Sequence, residues 1–285
     1  MNKDHKIVAY IDLKTKDYQI KSHNNLFEYI GGLPLAYKIL EDNLNFKPII
    51  IANGPLSGKF PFASKTLCLY FDGKNILERY GGGKLHALMA FNGIDAICLL
   101  NTDESNTDIE IYFENNISTI KETSLNDNLN KTHNLFISSE KVVADKYFDF
   151  GIAENTLNIG LTIGLNFSNG ETDEILNKYD YENLYYEILN QFKELTVNPS
   201  NNPSCFGCPM GCDKSKYGEN AYNPSVLTRT LITCAYAEAV YKEIPTIFAC
   251  LNTLGYKYSH EELQELPLLF GELKSRINTK IKNIQ

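Results

Sequence analysis

Several features that would fix a class of protein are missing from this 285-residue chain. No stretch approaches about eighteen consecutive apolar residues, so the sequence predicts no membrane-spanning helix. The first residues, MNKDHKIVAYIDLK, contain no apolar core of a secretion signal. Basic residues number 27 against 35 acidic ones, which gives a net charge of −8. A chain this acidic is poorly suited to neutralise a phosphate backbone, which argues against nucleic acid as the main partner.

Histidine is also scarce, and cysteine is used sparingly outside one short stretch. The five histidines form no pair at i, i+4 spacing, so no histidine-based metal motif is present. His86, in the predicted helix after a glycine triplet, is expected to be packed or on the helix surface. The seven cysteines are an odd number and three of them are crowded together, unlike the even, dispersed pattern of a disulfide framework. We therefore expect a soluble cytoplasmic protein in a reducing compartment, with no membrane partner.

The crowded cysteines occur in the sequence SCFGCPMGCDK. Cys205, Cys208 and Cys212 have the spacing C-x2-C-x3-C. Thiolates are soft ligands that favour iron–sulfur clusters or zinc. A zinc ribbon would need a second C-x2-C or a histidine pair, and the sequence has neither. The glycines of this stretch allow backbone N–H groups to approach cluster sulfurs, so the pattern favours a loop that binds one [4Fe–4S] cluster.

A cubane cluster needs a fourth ligand. Cys234 and Cys250 are predicted to lie in helices that follow the loop, among apolar neighbours where a free cysteine commonly fills a core. Cys234 is nearer to the loop and is the better candidate ligand. A partner chain, a non-cysteine side chain or a three-cysteine cluster are the other possibilities. Cys68 and Cys98 fall in predicted strands, where we expect them in the core.

The hydrophobic pattern predicts an α+β fold class with a helical C-terminal part. Alternating runs indicate hairpins, short apolar runs indicate buried strands, and amphipathic runs indicate helices. The predicted elements are a hairpin of strands 7–13 and 18–21, a helix at about 35–44, a helix at about 84–91, a strand at 96–100 and a hairpin turning at Asn115-Asn116. Beyond Glu171 the pattern is helical. We place a boundary near 168–172, between an α+β domain (1–170) and an all-helical domain (171–285) that carries the cysteines.

The cysteine loop and the N-terminal segments together resemble the aldehyde:ferredoxin oxidoreductase family, tungsten enzymes that oxidise aldehydes to acids. SCFGCPMGC resembles the cluster loop of that family. IVAYIDLKTKDYQIKS is similar to its opening hairpin, and YIGGLPLAYKIL to its first helix. IIIANGPLSG is similar to its strand before Gly-Pro-Leu-Thr-Gly, and GGGKLHALMAFNGIDAICLL to its Gly-Gly segment with the following helix and strand. The resemblance covers most of residues 6–112 and about 203–256.

The resemblance implies a fold, cofactors and a partner. In the family, a two-layered β domain cradles two pterins that hold one tungsten, and helical domains complete the site. A [4Fe–4S] cluster beside the pterin passes electrons to ferredoxin. The three loop cysteines match three cluster ligands of the family. We therefore expect an N-terminal two-layered β domain with packed helices, followed by an all-helical iron–sulfur domain.

The resemblance also implies cofactor contacts for residues of the N-terminal part. Lys65 stands near the arginine that bridges cluster and pterin in the family, and a lysine keeps that charge without the bidentate fork. Gly82 and Gly83 match glycines on the pterin side. Tyr80 stands where the family has a pterin-contacting asparagine.

Two departures from the family decide between functions. The Arg-Gly-Gly stretch that meets the pterin phosphates is replaced by TLNIGLTIGLNFSNG, and the chain ends where the family continues into a domain that supplies the fourth cluster cysteine. We therefore expect a shortened relative with one [4Fe–4S] cluster that acts in electron transfer with ferredoxin or another electron-transfer protein, as a subunit whose partner completes the active site. One alternative is a complete tungsten- or molybdenum-pterin oxidoreductase acting on aldehydes. The other is a non-enzymatic scaffold with a structural cluster or zinc ion.

Overall fold

The computed structural model describes residues 3–71, 75–102, 109–114, 117–122, 135–138, 142–144, 148–149, 163–167, 178–191, 198–215 and 224–284. The strands in these ranges are β1 (Lys6–Asp12), β2 (Asp17–His23), β3 (Ile49–Ala52), β4 (Thr66–Phe71), β5 (Ile76–Gly81), β6 (Ala96–Leu100), β7 (Ile109–Glu114), β8 (Ile117–Glu122), β9 (Leu135–Ile137), β10 (Val142–Ala144), β11 (Phe148–Asp149) and β12 (Ile163–Phe167). The helices are α1 (Gly32–Asn43), α2 (Leu85–Phe91), α3 (Lys178–Gln191), α4 (Val226–Leu231), α5 (Ile244–Thr253) and α6 (His260–Ile284).

The described strands form two sheets. The first has the order β2-β1-β6-β3-β4-β5 and the second has the order β11-β10-β9-β12-β7-β8. β1 pairs with β6 in parallel, and β7 pairs with β12 in parallel. The other named pairs are antiparallel. Every strand of the first sheet comes from residues 6–100, so this sheet is built from one continuous part of the chain.

The two sheets pack face to face around a shared core. Alternate residues of a strand point to opposite faces, and Ile11 of β1 lies in the same buried cluster as Ile111 of the second sheet. The rings of Phe113 and Phe167 stack in this cluster with centroids 4.6 Å apart. This arrangement is the two-layered β structure expected from the sequence.

Helices cover the opposite face of the first sheet. Val8 and Cys98 pack there with residues of α1 and of α6, including Phe270. The carboxylate of Glu41 in α1 also accepts a hydrogen bond from Arg276 in α6 at 2.9 Å. The C-terminal helix is therefore fastened to the N-terminal sheet by apolar contacts and by an ion pair.

A third core lies in the helical part and supports the cysteine loop. It joins Ile247 and Leu251 of α5 to Leu263 of α6, and it extends to Phe60 and Phe62 in the long connection between β3 and β4. Cys212, Cys234 and Cys250 belong to this core. The loop that carries the first of these cysteines thus rests on packed side chains.

The fold class predicted from the sequence is confirmed. Residues of the first part form sheets with α1 and α2 packed on the first sheet, and the described residues after 177 form helices joined by the cysteine loop and short connections. The boundary predicted at 168–172 lies outside the described residues. No helix in the described part of the chain has both the length and the apolarity needed to cross a membrane.

Candidate metal centre

The cysteine loop is closed by hydrogen bonds between its two ends. The Ser204 N–H donates to the carbonyl of Cys212 at 2.8 Å, and the Gly211 N–H donates to the carbonyl of Cys208 at 3.2 Å. The Ser204 hydroxyl donates to the same Cys212 carbonyl at 3.2 Å and accepts from the Ser215 N–H at 3.0 Å. Gly211 has φ 59°, a conformation that glycine adopts at no steric cost. These hydrogen bonds therefore hold the loop in a closed turn.

A β-bridge attaches the loop to the residues that follow β5. Gly83 pairs in parallel with Cys205. The Gly83 N–H donates to the Ser204 carbonyl at 2.6 Å, and the Gly83 carbonyl accepts from the Phe206 N–H at 3.0 Å. A Cβ at Gly82 would lie 2.2 Å from the Ser204 oxygen and 2.7 Å from the Cys205 sulfur. The bare backbone at Gly82 is thus what lets the cysteine loop come this close.

Cys234 reaches the loop from a break in the helical segment, and its predicted position inside a helix is wrong. Helix α4 ends where Ile232 takes the left-handed conformation (φ 53°, ψ 39°), which is rare for a β-branched residue. Cys234 itself is extended, with φ −68° and ψ 131°. Its N–H donates to the carbonyl of Phe62 at 2.8 Å, and Phe62 also has a positive φ of 64°. Strained backbone of this kind is concentrated at functional sites.

Four cysteines line one cavity. Cys205, Cys208 and Cys212 come from the loop, and Cys234 comes from the break after α4. Lys65 and Ser215 line the same cavity. The cavity therefore brings together the four residues expected from the sequence as metal ligands.

Two of the loop cysteines have a raised pKa and keep their proton at neutral pH. Burial raises the pKa of Cys205 to about 11, and the nearby Lys65 ammonium opposes the shift. Burial also raises the pKa of Cys208 to about 12, and the neighbouring sulfurs of Cys205, Cys234 and Cys212 raise it further because they disfavour a second negative charge. These two thiols are therefore protonated at neutral pH, and a bound metal would have to displace their protons.

The remaining cysteines fill cores, as the sequence predicts. Cys68 in β4 and Cys98 in β6 are buried on opposite faces of the first sheet. Cys250 in α5 is fully buried and does not line the four-cysteine cavity. These three side chains have the surroundings of small apolar residues.

The donor set suits a cluster better than a single ion. Among the described residues, no group of three or more His, Cys, Asp or Glu is arranged to hold a metal ion. A zinc site would need its sulfurs converging to about 2.3 Å from one point. In a cubane each cysteine binds a different iron, so the sulfurs are spread over the cluster. Four thiols around one cavity, with no carboxylate or imidazole among its described lining residues, fit that second arrangement.

The residues expected at a pterin have other contacts in this structure. Lys65 is buried and lines the cysteine cavity. The Tyr80 hydroxyl donates to the Glu78 carboxylate at 3.2 Å, and its ring packs against the core beneath α1. Gly82 and Gly83 hold the cysteine loop, as described above. A pterin role for these residues stays a prediction, because residues 150–162 and 168–177 lie outside the described part.

A cleft of about 470 Å³ adjoins the loop on the side of α2. Phe206 and Gly207 of the loop line it together with Tyr181 of α3 and His86 of α2. His86 is buried, as a packed histidine would be, and neither ring nitrogen has a hydrogen-bond partner among the described residues. Burial lowers the pKa of His86 to about 3, with a smaller opposing effect of the Gly83 backbone. The imidazole is therefore neutral at physiological pH.

Sequence reasoning did not single out Phe62 or Ser215. Phe62 contributes its backbone carbonyl, which accepts the hydrogen bond from Cys234. Every residue has such a carbonyl, so the sequence gives no sign of this role. Ser215 is one isolated serine, and a single serine forms no spacing pattern. Only the folded chain shows that both border the cysteine cavity.

The family model described as "Aldehyde ferredoxin oxidoreductase, N-terminal domain" matches residues 8–142. Residues 8–142 are therefore similar to the N-terminal domain of this family. The resemblance inferred from the sequence is thereby confirmed for that part, which includes the glycines that hold the cysteine loop. The cysteine loop itself lies outside the matched residues. No curated protein matches the chain significantly.

A solved structure shares the fold. It is a chain of the "Active site complex BamBC of Benzoyl Coenzyme A reductase in complex with 1,5 Dienoyl-CoA", with a TM-score of 0.53 and 18% sequence identity. The similarity covers 71% of this chain and 37% of that chain. The present chain therefore spans well under half the length of that relative. At this identity the likeness shows the fold, which extends beyond the family-matched N-terminal domain.

Proposed function

We propose that the chain binds one [4Fe–4S] cluster through Cys205, Cys208, Cys212 and Cys234 and acts in electron transfer. The observation that carries the proposal is the single cavity lined by these four thiols. A [4Fe–4S] cluster is held by four cysteine thiolates. With Cys234 as the fourth ligand, this chain would complete the site without a cysteine from a later domain.

The residues of the chain would hold the cluster in a defined environment. When bound, the cluster would supply one-electron redox chemistry. The ammonium group of Lys65 would offset part of its negative charge, since this group already acts on Cys205. The loop meets solvent at Phe206, which is 58% exposed. The thiols on either side of Phe206 thus lie next to the surface, where an electron-transfer partner can approach.

The proposal includes a partner protein. The family match supports an oxidoreductase relative, and the structural neighbour is part of a complex named BamBC. Both support a role as a subunit beside a partner that completes the active site, with ferredoxin or a similar electron-transfer protein as the redox partner. We place this function in the cytoplasm, where free thiols persist.

Anaerobic reconstitution with iron and sulfide tests the proposal. We expect a brown chain with thiolate-to-iron charge-transfer absorption, about four irons per chain and reversible low-potential reduction. A colourless chain without bound iron after reconstitution would contradict the proposal. Iron bound without reversible reduction would instead favour the structural scaffold.

A complete tungsten- or molybdenum-pterin oxidoreductase is the alternative, and the family match over residues 8–142 supports it. Metal analysis of protein isolated from its native host separates the two functions. Stoichiometric tungsten or molybdenum would favour the complete enzyme. Iron alone would favour the electron-transfer protein.

A further inference from the structure

We infer that the hydroxyl group of Ser215 donates a hydrogen bond to the sulfur cage of the bound cluster and thereby raises its reduction potential. This inference rests on the proposed function, since it assigns a role to one residue of the same cavity. Ser215 follows the last loop cysteine, Cys212, by three positions. Ser215 would thus adjust the reduction potential of the cluster without binding iron.

The Ser215 hydroxyl has no oxygen or nitrogen acceptor among the described residues, although it interacts with the Cys205 thiol. Ser215 is 2% exposed, and its Oγ is buried without a hydrogen bond to any described residue. It lines the cavity that the four cysteines line. A buried hydroxyl without a hydrogen-bond partner is unfavourable. Such a group therefore calls for an acceptor, and the cavity is where one would be bound.

The neighbouring Ser204 shows why Ser215 is the donor. The Ser204 hydroxyl is committed, because it donates to the Cys212 carbonyl at 3.2 Å and accepts from the Ser215 N–H at 3.0 Å. That second bond fixes the Ser215 backbone against the loop and leaves the Ser215 hydroxyl uncommitted. The Ser204 Oγ also lies 3.9 Å from the Cys205 sulfur, and the Ser215 hydroxyl interacts with the same thiol.

The direction of the effect follows from charge. Reduction adds one electron and makes the cluster more negative, so a hydrogen-bond donor stabilises the reduced form more than the oxidised form. Hydrogen bonds to the sulfurs are among the factors that set the potential of a protein-bound cluster. Removal of the donor should therefore lower the potential.

The test is a redox titration, followed by electron paramagnetic resonance, of the reconstituted full-length chain and its Ser215→Ala variant. We expect a reduced-to-oxidised ratio about fivefold lower in Ser215→Ala at a fixed applied potential, the scale of one net hydrogen bond. Ser215→Thr keeps the hydroxyl and should retain the wild-type ratio. Ser259→Ala is the matched control, since the Ser259 hydroxyl caps α6 by accepting from the Glu262 N–H. It should lower the unfolding midpoint and leave the ratio unchanged.

The outcomes separate this inference from the proposed function. A loaded Ser215→Ala chain with the wild-type ratio overturns the inference and leaves the cluster assignment intact. A wild-type chain that takes up no iron overturns both. If Ser215→Ala fails to load, loading of Ser215→Thr at the wild-type ratio supports the role of the hydroxyl. Failure of both variants would show that the position tolerates no change in size, which overturns the inference.

Discussion

The carbonyl oxygen of Ser204 lies where a side chain at Gly82 would have to be, 2.2 Å from an ideal Cβ. Because the obstacle is backbone, it cannot rotate away as a side chain would. We therefore expect Gly82→Ala to push the cysteine loop from the end of β5, with a loss of about 1–3 kcal/mol in unfolding free energy. Urea unfolding measures that loss, and iron uptake on reconstitution should fall with it.

Gly271→Ala is the control for this substitution. Gly271 lies in α6, and a Cβ there meets nothing within 4 Å. Alanine in a helix interior is about 0.5–1 kcal/mol better than glycine, so this variant should be slightly stabilised with normal iron uptake. Equal stability and equal iron uptake in Gly82→Ala and Gly271→Ala would show that the position of the cysteine loop does not depend on the glycine at 82.

The ion pair between α1 and α6 should make stability depend on acid pH. Burial alone would raise the pKa of Glu41, but hydrogen bonds from Arg276 and Lys38 outweigh it and lower the pKa to about 2. In an unfolded chain this carboxyl has a pKa near 4.5. The stabilising contribution of Glu41, on the order of 2–3 kcal/mol, is therefore complete above about pH 5 and lost as the pH falls towards 2.

Glu41→Gln tests this dependence. The variant should be less stable than the wild type at pH 7, and the difference should shrink as the pH falls from 5 to 3, because the wild-type carboxyl takes up protons on unfolding. Chemical unfolding at each pH measures the difference. Glu272→Gln, an exposed position of α6, should show little change at either pH. A difference for Glu41→Gln that stays constant with pH would contradict the account.

A buried lysine should give a second pH dependence, of opposite origin. Lys6 in β1 is fully buried, and its ammonium lies 4.8 Å from the ring centre of Tyr256 and 5.8 Å from that of Tyr258, with no hydrogen-bond partner among the described residues. Burial lowers the pKa of Lys6, and Asp95 partly opposes the shift. Because the unfolded chain then holds this proton more tightly, stability should rise with pH towards 10.5.

Lys6→Met isolates that contribution. Methionine keeps the length of the side chain and contacts aromatic rings well, so the variant should lose this part of the rise in stability with pH. Unfolding free energies at pH 7 and pH 9.5 measure the effect. Lys257→Met, an exposed neighbour of both tyrosines, should keep the wild-type pH dependence. An unchanged pH dependence in Lys6→Met would mean that Lys6 has the same pKa in the folded and the unfolded chain, which would contradict the prediction.

Local pattern was enough to predict the strands β1, β2 and β6 of the first sheet, whereas no strand was predicted at β5 (Ile76–Gly81). The strand at Ala96–Leu100 has the bounds expected from its short apolar run. Helix α1 starts at Gly32, three residues before the predicted Leu35. The Gly31-Gly32 backbone packs closely against Asn53 and Arg229 at this start. The sequence does not show the start, because no side chain marks it. The layered packing of two sheets followed from the family resemblance and not from periodicity.

The cysteines of the candidate site were predictable from the sequence, and its geometry was not. The spacing of the three loop cysteines is local, so the sequence shows it. The break that brings Cys234 to the loop depends on the left-handed Ile232 and on a hydrogen bond to Phe62, 172 positions earlier in the chain. A run such as TLITCAYA has helical spacing, and only tertiary contacts override it. The family resemblance predicts a pterin contact for Gly82, whereas the structure shows its contact with the cysteine loop.

The most direct test of the central claim compares two cysteine-to-alanine variants after anaerobic reconstitution. Cys234 lines the cavity with the loop cysteines, and Cys250 is a buried cysteine of the same core that does not. The account predicts about four irons per chain in the wild type and in Cys250→Ala. Cys234→Ala should lose the [4Fe–4S] signal, with at most a labile three-cysteine cluster left. Equal iron content and equal spectra in the two variants would contradict the account.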